Sequence, residues 1–367
     1  PEPVKEAAFR AVQKAAELID MSHHKGEHSR FGATDVCPFV PVSNATMEEC
    51  AEIARQVGQR IGEELGIPVY LYEHAASKPE RHNLAKVRAG EYEGLQKKLA
   101  DPEWKPDFGP AVFNPGAGAT AVGAREFLIA YNINLNTTDR RYANEIAYEI
   151  RDRGRWKRIG NVDPFYYKGD VVYFEEGKYA DGNSDFVAGS FEELAEFYQE
   201  TYGADLYQRY RSIGLDPDKL DGRPVYKDGM FTHLKGIGWV VDDYQCAQIS
   251  LNLTNYKITS PVNVLEAVRQ LAVERGIVIT GSEIVGVVPY EAMQQAGRFY
   301  LRRMQKSTGI PARDIIITAV QAMGLKDVAE FDIDKKVIGM PVPEGPLANL
   351  TITGFVDVVS RDTPAPG

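Results

Sequence analysis

Cysteine is scarce in this chain of 367 residues: Cys37, Cys50 and Cys246 are the only three, and no two of them stand in a CxxC pair. That leaves neither a metal knuckle nor a disulfide framework, and it fits free thiols in a reducing compartment. Long apolar runs are missing too. No stretch approaches the roughly 18 residues that a spanning helix requires, and the opening PEPVKEAAFR lacks the basic-then-apolar order of a secretory signal. A cytoplasmic protein with no membrane partner is the expectation. Positive charge is in deficit, with 42 Lys and Arg against 52 Asp and Glu and a net charge of −10. Nucleic acid is therefore not an expected partner, and any anionic ligand has to be held by a local cluster of bases. Histidine is rare as well, six in all, yet His23, His24 and His28 fall together in HHKGEHSRFGATDVCPF.

What is present is the material of an ordinary globular protein, 44% hydrophobic and 26% charged, enough for a full core and for two or more subdomains. Val4, Ala8, Ala11, Val12, Ala15, Leu18 and Ile19 recur at helical spacing. Almost nothing precedes this helix to cover its apolar stripe, so the chain's first residue reads as a cut edge. TDVCPFVPV reads as a buried strand, Thr46 with Glu49 makes a capping box before a helix from Met47, and PVYLYE is the next strand, which together form a βαβ pattern. RHNLAKVRAGEYEGLQKKL reads as one charged helix. Asp101 to Thr120 is too rich in proline and glycine for any regular element.

The second half opens with REFLIAYNINLN, in which Phe127, Ile129, Tyr131, Ile133 and Leu135 alternate with Asn132, Asn134 and Asn136. CAQISLNLTNY repeats the design, with Gln248, Ser250, Asn252 and Thr254 on one face. Asparagine is poor in strands by propensity, so repeated Asn suggests a polar cleft wall, although a solvated sheet face would serve equally. SPVNVLEAVRQLAVERG predicts a helix capped by Ser260 and stopped by Gly276, IVITGSEIVGVVP a strand or strand pair, and PYEAMQQAGRFYLRRM a further helix. Between the two amide-faced strands lies a tyrosine- and phenylalanine-rich segment, 156–232, that reads as a folded insertion.

The histidine cluster carries the candidate chemistry. A neutral imidazole titrates near the working pH and can take a proton from an amine and return it to a leaving group, so His23, His24 and His28 are candidate acid/base groups. Lys25 and Arg30 beside them can hold carboxylates, Arg30 through two parallel hydrogen bonds. Zinc would need a third ligand that neither an HExxH helix nor a cysteine pair supplies, so no metal is expected. The loop GPAVFNPGAGAT has no GxxxxGK[ST] and no GxGxxG; it is either a connector or a glycine-lined wall for a flat heteroaromatic ring.

LIDMSHHKGEHSRFGATDVCPFVPV strongly resembles the glutamate formimidoyltransferase family, the formiminotransferase part of formimidoyltransferase-cyclodeaminase, whose pattern is close to LIDM-x-x-HKGEHPRMGA-x-DVCPFIPV. VYLYEHAA, RAGEYEGLQKKL, WKPDFGP, GAREFLIAYNINL, KGIGWVVDD and AQISLNLTNYKIT extend the resemblance from Ala8 to about Gly154 and from Lys235 to about Met304. The resemblance implies an α/β (α+β) fold of two ferredoxin-like subdomains whose sheets face a folate-binding cleft, here residues 1–118 and 119–336, with the insertion in the second and 337–367 as a linker. It implies transfer of a formimino group from N-formimino-L-glutamate to N5 of tetrahydrofolate, with His28 as the acid/base group. Its folate segment falls on Gly109, Pro110, Ala111, Val112, Phe113, Asn114, Pro115, Gly116, Ala117 and Gly118. Lys25, Arg30, Asp35, Asn132 and Asn134 are the expected substrate-binding residues, Asp35 pairing with Arg30 or with the imidazole to fix its tautomer.

Ser29 replaces the family's proline and Phe31 its methionine, both mild departures. Family members begin with further strands that line the site, and SRDTPAPG resembles the opening of the cyclodeaminase domain; the chain is therefore expected to be the middle of a longer bifunctional polypeptide. A homo-oligomer is the expected assembly. Two other readings stay open: a folate-binding module without turnover, and a formyltransferase that uses formylglutamate.

Overall fold

The computed structural model describes residues 1–25, 30–42, 44–160 and 168–341. These residues divide into two compact units, the first made of Pro1–Leu128 with Val171–Tyr226 and the second of Ile129–Asp170 with the chain from Lys227 onward. The α/β expectation holds in both.

In the first unit, helix α1 (Glu2–Leu18) precedes strand β1 (Val36–Phe39), helix α2 (Met47–Leu65) and strand β2 (Val69–Glu73). The capping box is present: the Thr46 hydroxyl accepts from the Glu49 N–H and the Glu49 carboxylate accepts from the Thr46 N–H. A third strand, β3 (Thr120–Ala124), lies between β1 and β2, parallel to both. Crossover connections force this parallel arrangement. The three strands do not form the antiparallel sheet of a ferredoxin-like unit. The anticipated boundary after Gly118 falls just before this central strand.

Alternation explains how the sheet is covered on both faces. Val69, Leu71, Val122 and Ala124 meet Phe9, Val12, Ala54, Val57 and Ile61 of α1 and α2. Tyr70, Tyr72, Ala119 and Ala121 meet Phe31, Val87, Leu95 and Leu99 on the other side. Each fully buried aliphatic side chain here contributes on the order of 1.5–3 kcal/mol. The long charged helix expected over residues 81–99 is instead a turn, α3 (Leu84–Val87), and a helix, α4 (Glu91–Leu99). Gly90 sits between them at φ +89°, a left-handed conformation that breaks the helical path. The described part of the insertion is folded, as expected, with helices α6 (Phe191–Tyr202) and α7 (Leu206–Ser212) and an aromatic cluster of its own around Phe174, Leu194, Tyr198 and Tyr210, but Val171–Tyr226 groups with the first unit and not, as expected, with the second.

In the second unit, β4 (Ile129–Leu135), α5 (Arg140–Ile150), β5 (Leu234–Val241), β6 (Cys246–Leu253), α8 (Pro261–Glu274) and β7 (Ile279–Val285) follow in βαββαβ order. The sheet order is β5-β6-β4-β7 with every neighbour antiparallel, which is the ferredoxin-like arrangement. Helices α9 (Tyr290–Arg303) and α10 (Ala312–Met323) follow in the same unit. Register puts Tyr131, Ile133, Ile249 and Leu251 on one face and Asn132, Asn134, Gln248 and Ser250 on the other.

Candidate functional site

In the first unit the histidine motif leaves α1 through a turn. Asp20 accepts hydrogen bonds from the N–H and hydroxyl of Ser22 and lies 3.1 Å from Nδ1 of the exposed His23. His24 and Lys25 are also exposed. His28 lies outside the described residues.

Arg30 is well placed but already engaged. Its two terminal nitrogens donate to the two carboxylate oxygens of Glu93 at 3.1 and 2.8 Å, and Nη2 also donates to the His24 carbonyl at 3.0 Å. The Glu93 carboxylate raises the pKa of Arg30, and the guanidinium lowers that of Glu93. Asp35 does not pair with Arg30. Its Oδ1 accepts from the Phe31 N–H at 3.0 Å and from Arg88 Nε at 3.2 Å, and its Oδ2 lies 2.5 Å from Arg88 Nη2. The carboxylate closes the turn it belongs to, which aims it at the residue ending α3. Phe31, the position where the resemblance has methionine, is 1% exposed and packs among Tyr70, Tyr72 and Leu95.

The glycine-rich segment is built against this motif. Met21 N–H donates to the Gly116 carbonyl, Ala33 N–H to the Ala117 carbonyl and Ala119 N–H to the Phe31 carbonyl, each at 2.9 Å. The Tyr92 hydroxyl donates to the Pro115 carbonyl at 2.7 Å, and the Tyr92 ring lies 5.3 Å from that of Phe113. Tyr92 is also where the two loops meet α4, since its N–H donates to the Arg30 carbonyl at 2.9 Å. Gly118 has φ +68°, and a Cβ there would lie 2.3 Å from the Phe31 carbonyl oxygen, so only glycine fits. Within the segment, Asn114 holds the turn by accepting from Ala117 and Gly118 N–H groups. Gly109, Pro110, Ala111 and Val112 form an exposed rim, while Ala117 and Gly118 are buried.

The second unit carries the amide-lined sheet face. Asn132 and Asn134 are 9% and 2% exposed, and Gln248 is 2% exposed, so this is no solvated face. Asn132 Nδ2 reaches Glu283 at 3.4 Å. Asn134 accepts from Gln248 Nε2 at 2.8 Å and donates to Asp327 at 3.0 Å. A cavity of about 810 Å³ opens beside Asn134, lined also by Thr137, Tyr244, Cys246, Thr280 and Asp327. Burial, with the Asp327 charge next, pushes the Cys246 thiol pKa up. Sequence reasoning missed Arg88, Glu93 and Asp327; the amide alternation pointed to Gln248 without marking it as a site residue.

Each unit thus presents polar groups on an α/β frame, and the class the fold defines is a two-unit α/β protein. Residues 1–125 match the family model of the formiminotransferase domain, N-terminal subdomain, and residues 208–343 that of the formiminotransferase domain. The glutamate formimidoyltransferase of Streptococcus pyogenes serotype M1 is 35% identical over 299 residues, 82% of this chain and 75% of that protein. That of Thermoplasma acidophilum is 36% identical over 81% of this chain and 74% of its own length. The formimidoyltransferase-cyclodeaminase of Dictyostelium discoideum is 37% identical across 100% of this chain, which spans 56% of that protein's length. The chain belongs to the glutamate formimidoyltransferase family.

Proposed function

We propose that the chain transfers the formimino group of N-formimino-L-glutamate to N5 of tetrahydrofolate, releasing glutamate and 5-formiminotetrahydrofolate, in the cytoplasm and as a homo-oligomer. The observation that supports this reading best is the hydrogen bonding of Gly116, Ala117 and Ala119 of the glycine-rich segment to Met21, Ala33 and Phe31, which flank the histidine motif. A folate held by Gly109 to Gly118 then lies beside the described residues that flank the histidine motif.

N5 attacks the amidine carbon and forms a tetrahedral adduct. The proton of N5 has to leave, and the glutamate nitrogen has to gain one before its bond to carbon breaks. His28 performs both steps, first as base and then as acid. Lys25, exposed at the start of the motif, attracts a substrate carboxylate, and Arg30 takes one when Glu93 gives way. Asp35, tied to Arg88, shapes the turn after the motif, and Asn132 and Asn134 contribute the polar wall in the second unit. Bringing two bound molecules together supplies much of the rate. No metal is needed for any step.

The test is transfer to tetrahydrofolate by the wild-type protein and by His28→Ala. A fall of about a hundredfold or more is expected for a lost acid/base group. Equal rates would refute the assignment of His28, and tight folinate binding without any transfer would refute turnover.

A further inference from the structure

Asp327 stands at the end of a polarised chain of hydrogen bonds that crosses the second unit's sheet. The Trp239 indole N–H can only donate, and it donates to Gln248 Oε1 at 2.8 Å. That fixes the Gln248 amide so that its Nε2 donates to Asn134 Oδ1 at 2.8 Å. Asn134 in turn aims its Nδ2 at Asp327 Oδ2, 3.0 Å away. Gln248 and Asn134 are each 2% exposed, and a buried amide chain of this kind is costly unless every member is satisfied.

The backbone is shaped for the same end. A Cβ on Gly281 would lie 2.1 Å from the Asp327 Cβ, so this glycine makes room for the carboxylate to lie across β7. The turn after α10 is held on the sheet by the Ser282 N–H, which donates to the Gly324 carbonyl at 2.9 Å, and by the Ser282 hydroxyl, which donates to the Met323 carbonyl at 2.7 Å. Asp327 then lines a cavity of about 810 Å³ whose other polar walls, Asn134, Tyr244 and Thr280 among them, carry no positive charge. Among the described residues, Asn134 is the hydrogen-bond donor to this carboxylate, so most of its lone pairs remain for a ligand.

We propose that Asp327 binds a planar N–C–N edge bearing two N–H donors, its carboxylate accepting both in two parallel hydrogen bonds. Asp327 is exposed at the cavity, and its carboxylate suits a ligand that brings N–H donors. A single carboxylate with neutral walls is too poor in ligands for a divalent cation, and it repels anions. The inference rests on the formimino-transfer reading, since both substrates carry such an edge: the formamidine of N-formiminoglutamate, and the aminopyrimidinone side of the tetrahydrofolate ring.

Asp327→Asn keeps the size and an acceptor for Asn134 while removing the charge. Calorimetric titration with N-formiminoglutamate and, separately, with folinate is expected to show one of the two dissociation constants rising about tenfold or more, with the other within about twofold. The affected ligand identifies which edge is held. Trp239→Phe, which leaves Asp327 in place but removes the first donor of the chain, should weaken the same ligand by a smaller factor, about threefold. Circular dichroism establishes that both variants are folded. Unchanged affinities in Asp327→Asn, or equal losses for both ligands, would overturn the proposal. Transfer by the wild type with affinities unmoved in the variant sinks the Asp327 site alone. A wild type that shows the Asp327-dependent binding but no transfer sinks the reaction alone.

Discussion

Glu93→Gln tests whether the Arg30 guanidinium is a hook for a substrate carboxylate or only a brace for its loop. In the folded protein the Arg30 side chain is 14% exposed and that of Glu93 is 64% exposed, so solvent screens the pair from one side. An ion pair of that exposure is worth roughly 0.2–1 kcal/mol. A ligand carboxylate that takes over the guanidinium has to displace Glu93 and loses that amount of affinity. Removing the charge at position 93 should therefore tighten binding of N-formiminoglutamate or folinate by a factor of about 1.4 to 5, the same energies divided by RT and exponentiated. Titration calorimetry at neutral pH and low salt reads this directly, and added salt should shrink the difference. Stability should fall by no more than about 1 kcal/mol, because Nη2 keeps its bond to the His24 carbonyl.

The pH dependence has a definite sign. Arg30 holds the Glu93 pKa below its ordinary value of 4.5. The stability this contributes is fully present above the unfolded value and is lost as pH falls through the lower, folded one. The difference in stability between wild type and Glu93→Gln should thus close in acid, below about pH 4.5, and be constant above it. A dissociation constant that rises in the variant would refute the exchange and leave Arg30 as a brace.

Two further substitutions test the frame of the site. Gly118→Ala forces a side chain into a left-handed backbone and against the Phe31 carbonyl, so it should cost about 1–3 kcal/mol in urea unfolding and weaken folinate binding with it; a variant as stable as the wild type would show that the two loops are not packed as described. Arg81 is 2% exposed, pairs with Asp107, donates to the Lys105 carbonyl at 2.6 Å and lies over the Tyr70 ring. Arg81→Met leaves the Asp107 charge buried beside β2, and a loss of roughly 3–5 kcal/mol in denaturant unfolding is expected; a loss under about 1 kcal/mol would show that solvent reaches the carboxylate.

The legible parts of this chain were those written locally. Thr46 and Glu49 stand three residues apart and make the capping box the spacing demands. The alternation in β4 and β6 marked the faces of the second sheet correctly, because a period of two survives any tertiary context. Strand β3 escaped because TAVGA has no β-branched run and follows a loop crowded with proline and glycine; it is a strand by virtue of its neighbours on both sides. The helix broken at Gly90 was misread because the charged pattern runs on through it, and one residue's left-handed backbone outweighs the periodicity of those around it.

The chemistry followed the same division. Lys25, His28 and Arg30 were visible as a cluster of residue types, but what a charge can do depends on its partner, and partners are not local. Arg30 is satisfied by Glu93, 63 positions away, and Asp35 by Arg88, 53 positions away. Asn134 looked like a ligand-binding amide, and its two polar ends turn out to be spent on Gln248 and on Asp327, the latter 193 residues further along. The group left to meet a ligand at the end of that chain is the carboxylate. An amide row on a strand announces a polar network, and only the fold decides which of its members faces the cavity.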